Sequence, residues 1–180
     1  IGILLYAPTF RDREARKHHV MSVPLDLGHV LDKLTAKTGK QWVCLTRAHY
    51  MSYGITMHKQ DARIIPASDY PEMAELLRVA DALITDYSSC AGDYALLRRP
   101  IFLYQDDLAD YMNNDRALYF DMADSPYWVS STPEEMDALI DAYTPEAARE
   151  NCDAILAFYG ECESGRAAEQ IAEYIIDKLQ

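Results

Sequence analysis

Short, almost uninterrupted apolar runs alternate along this chain with longer segments of helical period, and that alternation leaves few folds open. Residues 3–7, 42–46, 62–66, 82–85 and 101–104 read as strands, whereas residues 25–38, 72–80 and 90–99 carry apolar side chains three and four positions apart. Leu27, Val30, Leu31 and Leu34 show the helical spacing plainly. Strands apolar on both sides must bury both faces, and a parallel sheet with helices packed on each side provides that burial. The expected fold is therefore α/β, a doubly wound parallel sheet of Rossmann-like type.

The second half adds helices with legible boundaries. Thr132-Pro133-Glu134-Glu135 supplies a cap, a proline at the first helical position and acids in the first turn. A helix to about residue 142 should follow. Pro145-Glu146 marks another start, and residues 164–179 place Ala168, Ile171, Ala172, Ile175, Ile176 and Leu179 at helical spacing, so the tail is expected to be helical. No repeat, low-complexity linker or shift of composition divides the chain, which reads as a single domain over residues 1–180. It opens on a strand-like run with no initiator Met and so reads as a fragment of a larger protein.

Charge and cysteine usage narrow the setting. The formal net charge is -12, which argues against a general nucleic-acid binder, because such affinity rests on clustered Lys and Arg. The excess acid lies in residues 101–180, so an anion site belongs in the first half. No run approaches the roughly 20 apolar residues that a membrane helix needs, and no transmembrane segment is expected in this chain. Cys44, Cys90, Cys152 and Cys162 form no C-x-x-C pair, so reduced thiols in a cytoplasmic protein fit best, with a Cys152–Cys162 pairing left open.

Chemistry belongs at the carboxyl ends of the strands, where open α/β sheets bind ligands and helix starts offer unpaired N–H groups. After the first strand comes the polar, basic stretch 11–24, which reads as a loop. Arg47 and His49 end the second strand two residues apart and so share a side. Arginine can fork onto phosphate oxygens, and histidine can donate to a leaving phosphate or move a proton. A surface role fits a lone histidine equally. The strand at 82–85 runs into Asp86-Tyr87-Ser88-Ser89 ahead of a helix. One of these serines suits an ordinary helix cap, while the tandem pair also suits hydroxyls aimed at phosphate oxygens. Asp93 follows one helical turn later. Arg98 and Arg99, at the far end of that helix, read as structural. Histidines His18 and His19 read as solvated. Asp106, Asp107 and Asp110 resemble an acidic metal cluster, but they read better as a loop and helix start.

Taken in order, these segments make the chain resemble the CDP-glycerol glycerophosphotransferase family of teichoic-acid-type polymerases and primases. The resemblance rests on Leu5-Tyr-Ala-Pro-Thr-Phe-Arg-Asp12, Arg47-Ala-His49, Ile84-Thr-Asp-Tyr-Ser-Ser89 with Asp93-Tyr94, Arg99-Pro100-Ile101, Tyr119-Phe120-Asp121 and Gly165-Arg166-Ala167. It implies the C-terminal, donor-binding half of a two-domain, B-type glycosyltransferase-like enzyme that moves glycerol phosphate from CDP-glycerol, or a related CDP-polyol donor, to a polymer or lipid-linked acceptor with release of CMP. It further implies that Ser88, Ser89 and Asp93 lie at the donor site, that Thr9, Arg11 and Arg47 face the donor phosphates, and that His49 stabilises charge during transfer. No metal or other cofactor is expected. The family's His-Gly-Thr-Pro-type motif is absent, which places the base for the acceptor hydroxyl in a missing N-terminal domain, and Arg116-Ala117 stands where the family often has Arg-Gly. Any attachment to the inner face of the cell membrane would then lie outside this chain. Two other readings remain: a nucleotide-sugar glycosyltransferase or epimerase domain of the same architecture, and a non-catalytic nucleotide-binding or docking module.

Overall fold

The apolar runs do become strands of a parallel sheet, buried except at the edge strand formed by Ile64–Pro66. The computed structural model describes residues 1–11, 21–48, 55–56 and 61–179. Its elements in chain order are β1 (Gly2–Tyr6), β2 (Met21–Ser22), α1 (Leu27–Thr38), β3 (Trp42–Thr46), β4 (Ile55–Thr56), β5 (Ile64–Pro66), α2 (Met73–Val79), β6 (Ala82–Thr85), α3 (Cys90–Ala95) and β7 (Ile101–Tyr104). Then follow α4 (Leu108–Asn114), a 3-10 turn (Met122–Asp124), β8 (Val129–Ser130), α5 (Pro133–Ala142), α6 (Pro145–Phe158) and α7 (Ala167–Leu179). A six-stranded sheet runs in the order β5-β3-β1-β6-β7-β8 with every neighbouring pair parallel, and β2 pairs with β4 separately. All residues of the central strands β6 and β7 are buried, as a sheet covered on both faces requires.

Alternation along the strands divides the core in two. Leu4 and Tyr6 of β1 point to one face with Ile84 and Phe102, where α1 supplies Leu31 and Leu34 and α5 supplies Met136 and Ile140. Leu5 points to the other with Leu83, Ile101 and Leu103, against Leu77 of α2, Tyr94 of α3 and Ile155 of α6. The helices start where capping chemistry allows. Asp26 accepts from the His29 N–H at 3.1 Å ahead of α1, and α1 stops at Gly39, whose φ of 69° is a left-handed conformation that glycine adopts without strain. At α5, Thr132 accepts from the Glu135 N–H at 3.2 Å while Glu135 Oε2 accepts from the Ser131 N–H at 2.7 Å.

Boundaries differ from the sequence expectation where local rules compete. The helix expected over 90–99 ends at Ala95 and closes through i to i+3 bonds at Leu96, Leu97 and Arg98. Arg99 precedes Pro100, and a residue before proline is driven out of the helical region. Arg98 and Arg99 are structural, Arg98 Nε bonding Asp153 at 2.7 Å and Arg99 Nη1 bonding the Ala80 carbonyl at 2.5 Å. The edge strand β8 was not anticipated, since two residues carry no period. In the tail, α7 leaves Ile171, Tyr174, Ile175, Ile176 and Leu179 exposed.

Cys152 and Cys162 are not paired; all four thiols are free, three of them buried and Cys162 exposed. Burial pushes the Cys44 thiol up to about 12 and the Cys152 thiol up to about 11. Iodoacetamide at pH 8 should therefore label Cys162 in the folded protein and all four cysteines only after unfolding, as read by mass spectrometry. Ile140 is wholly buried; Ile140→Ala should cost about 2–5 kcal/mol of unfolding free energy and Ile140→Val about 0.5–1.5, measured by denaturant titration.

Candidate functional site

The sheet order reverses between β1 and β6. The chain leaving β1 goes on to α1 on one face, the chain leaving β6 to α3 on the other, and a crevice opens where the two exits part. Cross-links hold the exits together. The Thr85 hydroxyl donates to the Ala7 carbonyl at 2.6 Å, the Ala7 N–H to the Ile84 carbonyl at 3.0 Å and the Thr9 N–H to Asp86 Oδ1 at 2.8 Å.

Asp86 is 6% exposed and fully engaged: Oδ1 also accepts from the Tyr87 N–H at 2.6 Å, and Oδ2 accepts from Arg11 Nη2 at 3.0 Å. The Arg11 guanidinium continues to the third exit, after β7, with Nε to Asp107 Oδ2 at 2.9 Å and Nη2 to Asp107 Oδ1 at 3.1 Å, while Nη1 donates to the Thr9 carbonyl at 2.7 Å. Its carbon lies 5.0 Å from the Tyr87 ring centre and 4.8 Å from that of Tyr111, and these two rings stack at 3.9 Å. Burial alone would favour loss of the guanidinium proton, but the hydrogen bond to Asp107 and the charge of Asp86 outweigh it and hold Arg11 protonated. Burial and the hydrogen bond to Asp107 push the Tyr87 phenol well above its ordinary value, so its O–H is available to donate to Asp107 Oδ1, 2.9 Å away.

Beside this cluster lies a cavity of about 850 Å³. Thr9, Asp86, Ser88 and Ser89 form its polar wall; Phe10, Tyr111, Phe120, Tyr127 and Tyr159 make much of the rest, with Arg116 also lining it. Ser88 Oγ accepts from the Cys90 N–H at 3.3 Å, which leaves its own proton to give. Ser89 occupies the cap position of α3 without a side-chain cap bond, and Thr9 Oγ1 is buried without a hydrogen-bond partner among the described residues. The two serines thus divide the work: one satisfies the helix start, the other is left over.

The structure brings Thr9, Ser88 and Ser89 to one cavity. Arg11, expected to face donor phosphates, lies behind the wall with four hydrogen bonds already made. Arg47 donates to the Ala67 and Ser68 carbonyls and does not line the cavity, and Asp93 is exposed on α3 outside it. His49 lies outside the described residues, as do His18, His19, His58 and most of the loop 11–24. Sequence reasoning missed Asp86, Tyr87 and the aromatic wall as site residues. Asp86 was legible as an acid closing an apolar strand. Asp107, weighed as a metal ligand or as part of a helix start, stands at the start of α4 and turns its carboxylate to Arg11.

The CDP-glycerol:poly(glycerophosphate) glycerophosphotransferase family pattern matches residues 2–177. A teichoic acid glycerol-phosphate transferase of Staphylococcus aureus (strain NCTC 8325 / PS 47) is 32% identical across 96% of this chain and 44% of its own length. A teichoic acid poly(glycerol phosphate) polymerase of Bacillus subtilis (strain 168) is 30% identical over 96% of this chain and 24% of its own. The fold is similar to a histidine-to-asparagine variant of the wall teichoic acid polymerase TagF, with a TM-score of 0.68 and 28% identity over 98% of this chain and 43% of that one. A TagF structure soaked with CDPG gives a TM-score of 0.65 at 30% identity. The chain spans less than half the length of these relatives.

Removing Arg11 would leave two buried or half-buried carboxylates without their cation. Arg11→Ala should lower unfolding free energy by about 3–5 kcal/mol, and in an Arg11/Asp107 double-mutant cycle the two losses should fall well short of adding.

Proposed function

The chain belongs to the CDP-glycerol:poly(glycerophosphate) glycerophosphotransferase family, and from that premise we propose that its cavity between β1 and β6 binds the diphosphate of CDP-glycerol or a related CDP-polyol. Joined to the rest of the enzyme, the domain serves transfer of glycerol phosphate to a teichoic-acid-like polymer or lipid-linked acceptor. The observation that carries this reading is the convergence of Thr9, Ser88 and Ser89 on one concave wall at the switch point of the sheet.

Each hydroxyl has a proton to offer. Ser88 has its own proton to donate while accepting from Cys90, Ser89 is uncommitted to the cap, and the Thr9 hydroxyl has no partner among the described residues. Arg11 and the carboxylates Asp86 and Asp107 together carry one net negative charge, so they cannot neutralise a diphosphate; Arg11 positions Thr9 and Asp86 instead. Positive charge toward the donor comes from Arg116 on the cavity lining and from His49. Arg47 and Asp93 stand outside the lining and are assigned no phosphate contact.

In the proposed reaction an acceptor hydroxyl oxygen attacks the β-phosphorus, the bond from that phosphorus to the bridging oxygen breaks, and its electron pair leaves with CMP. His49 stabilises the charge that develops on the donor. The hydroxyl proton passes to a base in the part of the enzyme outside this chain. Among the described residues no helix is long and apolar enough to cross a membrane; the reading places the reaction in the cytoplasm, with attachment to the membrane's inner face left to other parts.

Hydrogen bonds to charged groups are worth about 1.5–3 kcal/mol each. Ser88→Ala and Ser89→Ala should each weaken CDP-glycerol binding by about tenfold or more in calorimetric titration, and unchanged affinity in both would overturn the site. In the full-length enzyme His49→Ala should lower turnover by about a hundred- to ten-thousand-fold with the fold intact by circular dichroism; near-normal turnover would demote it to a structural residue.

A further inference from the structure

Asp86 meets the sheet through its side chain. Parallel strands bond at every second residue, so after the Ala7 N–H reaches the Ile84 carbonyl at 3.0 Å, the next rung would carry the Thr9 N–H to the Asp86 carbonyl. That N–H goes to Asp86 Oδ1 at 2.8 Å instead. The carboxylate thus takes the rung of its own main chain. The peptide that follows is turned out of the ladder, with the Tyr87 N–H closing on the same Oδ1 at 2.6 Å. Ser88 and Ser89 leave β6 from that turned peptide.

A carbonyl displaced from a ladder and buried needs another donor. Gln105, the residue after β7, supplies it: Nε2 donates to the Asp86 carbonyl at 2.9 Å, while the Gln105 N–H is anchored on the Ser130 carbonyl of β8 at 2.8 Å. Gln105 is 3% exposed, and its Oε1 is buried without a hydrogen-bond partner among the described residues. A buried amide satisfied on one side only contributes little to stability, because desolvation of the unpaired oxygen offsets the bond made by the nitrogen. What the amide does achieve is geometric. It holds the Asp86 peptide by its carbonyl while Arg11 and Thr9 hold the carboxylate.

We infer that Gln105 is a positioning residue for the donor site: it keeps the Asp86 peptide out of the ladder and so aims the Ser88 and Ser89 hydroxyls into the cavity. This role rests on the assignment of those serines to the diphosphate. Without the amide, the chain relaxes to the ordinary arrangement. The Asp86 carbonyl takes the Thr9 N–H, the ladder gains its next rung, and the serines leave β6 in a different direction. That exchange replaces one backbone hydrogen bond with another, so the fold tolerates it and the site does not.

Gln105→Met, close in length and apolar, separates the two effects, and Gln105→Leu serves as a second apolar variant. In the full-length enzyme both should keep the thermal midpoint of the parent or exceed it. CDP-glycerol should bind them about tenfold or more weakly in calorimetric titration, the equivalent of one lost hydrogen bond to a charged oxygen. In a Ser88→Ala/Ser89→Ala background, where the hydroxyls to be aimed are gone, Gln105→Met should weaken binding no further. Parent-like affinity in both apolar variants overturns this role. So does a loss that adds in full to that of the serines, a lowered thermal midpoint, or failure of both variants to fold, each of which would make the amide a structural residue. A parent that does not bind CDP-glycerol, or a Ser88→Ala/Ser89→Ala variant that binds it as the parent does, would instead bring down the diphosphate reading, and the role of Gln105 with it.

Discussion

One buried cation holds three strand exits in register. Arg11 leaves β1, takes Asp86 after β6 and Asp107 after β7, and returns a hydrogen bond to the Thr9 carbonyl. An ion pair this buried is no efficient source of stability, because desolvation of the charges offsets most of their attraction. Its value lies in geometry. With Asp86 buried and Asp107 half-buried, each carboxylate relies on the guanidinium, and the loops that carry them cannot separate without stranding a charge. Thr9 and the serines inherit that rigidity through Asp86, which accepts the N–H groups of Thr9 and Tyr87 on one oxygen. Stacked Tyr87 and Tyr111 flank the cluster and limit water's access to it.

The same arrangement explains why the polar wall carries hydroxyls. The cluster behind it has a net negative charge, so the groups facing the cavity must supply protons and dipoles, and any full positive charge must come from the rim or from elements not tied into the cluster. The backbone reinforces the choice: Ser88 satisfies the start of α3 and frees Ser89 from that duty.

Much of the fold was legible because parallel strands buried on both faces write continuous apolar runs, and 82–85 and 101–104 became β6 and β7 without a shift of boundary. Termini moved where a competing local rule intervened, as at Arg99-Pro100. The two-residue β8 left no pattern to read. Thr9, Ser88 and Ser89 sit at strand exits that the sequence marks out, but position alone suits the serines to an ordinary helix cap as well, and it is the resemblance that points them at a donor. Partnership was not legible. Arg11 was expected at the donor phosphates through the resemblance alone, and only the fold shows Asp107, distant in sequence, closing on it. The aromatic wall escaped notice for the same reason, since Phe10, Phe120, Tyr127 and Tyr159 come from separate segments.

The central claim is that the crevice between β1 and β6 is the donor site. Nitrogen-15 amide spectra recorded during titration with CDP-glycerol test it most directly, because they report position without substitution. The account predicts the largest shifts at Thr9, Tyr87, Ser88, Ser89 and Cys90, with smaller ones at Phe120 and Tyr159. Shifts centred instead on the opposite edge, around Asp32, Trp42 and Arg63, where a second hollow lies, would contradict it.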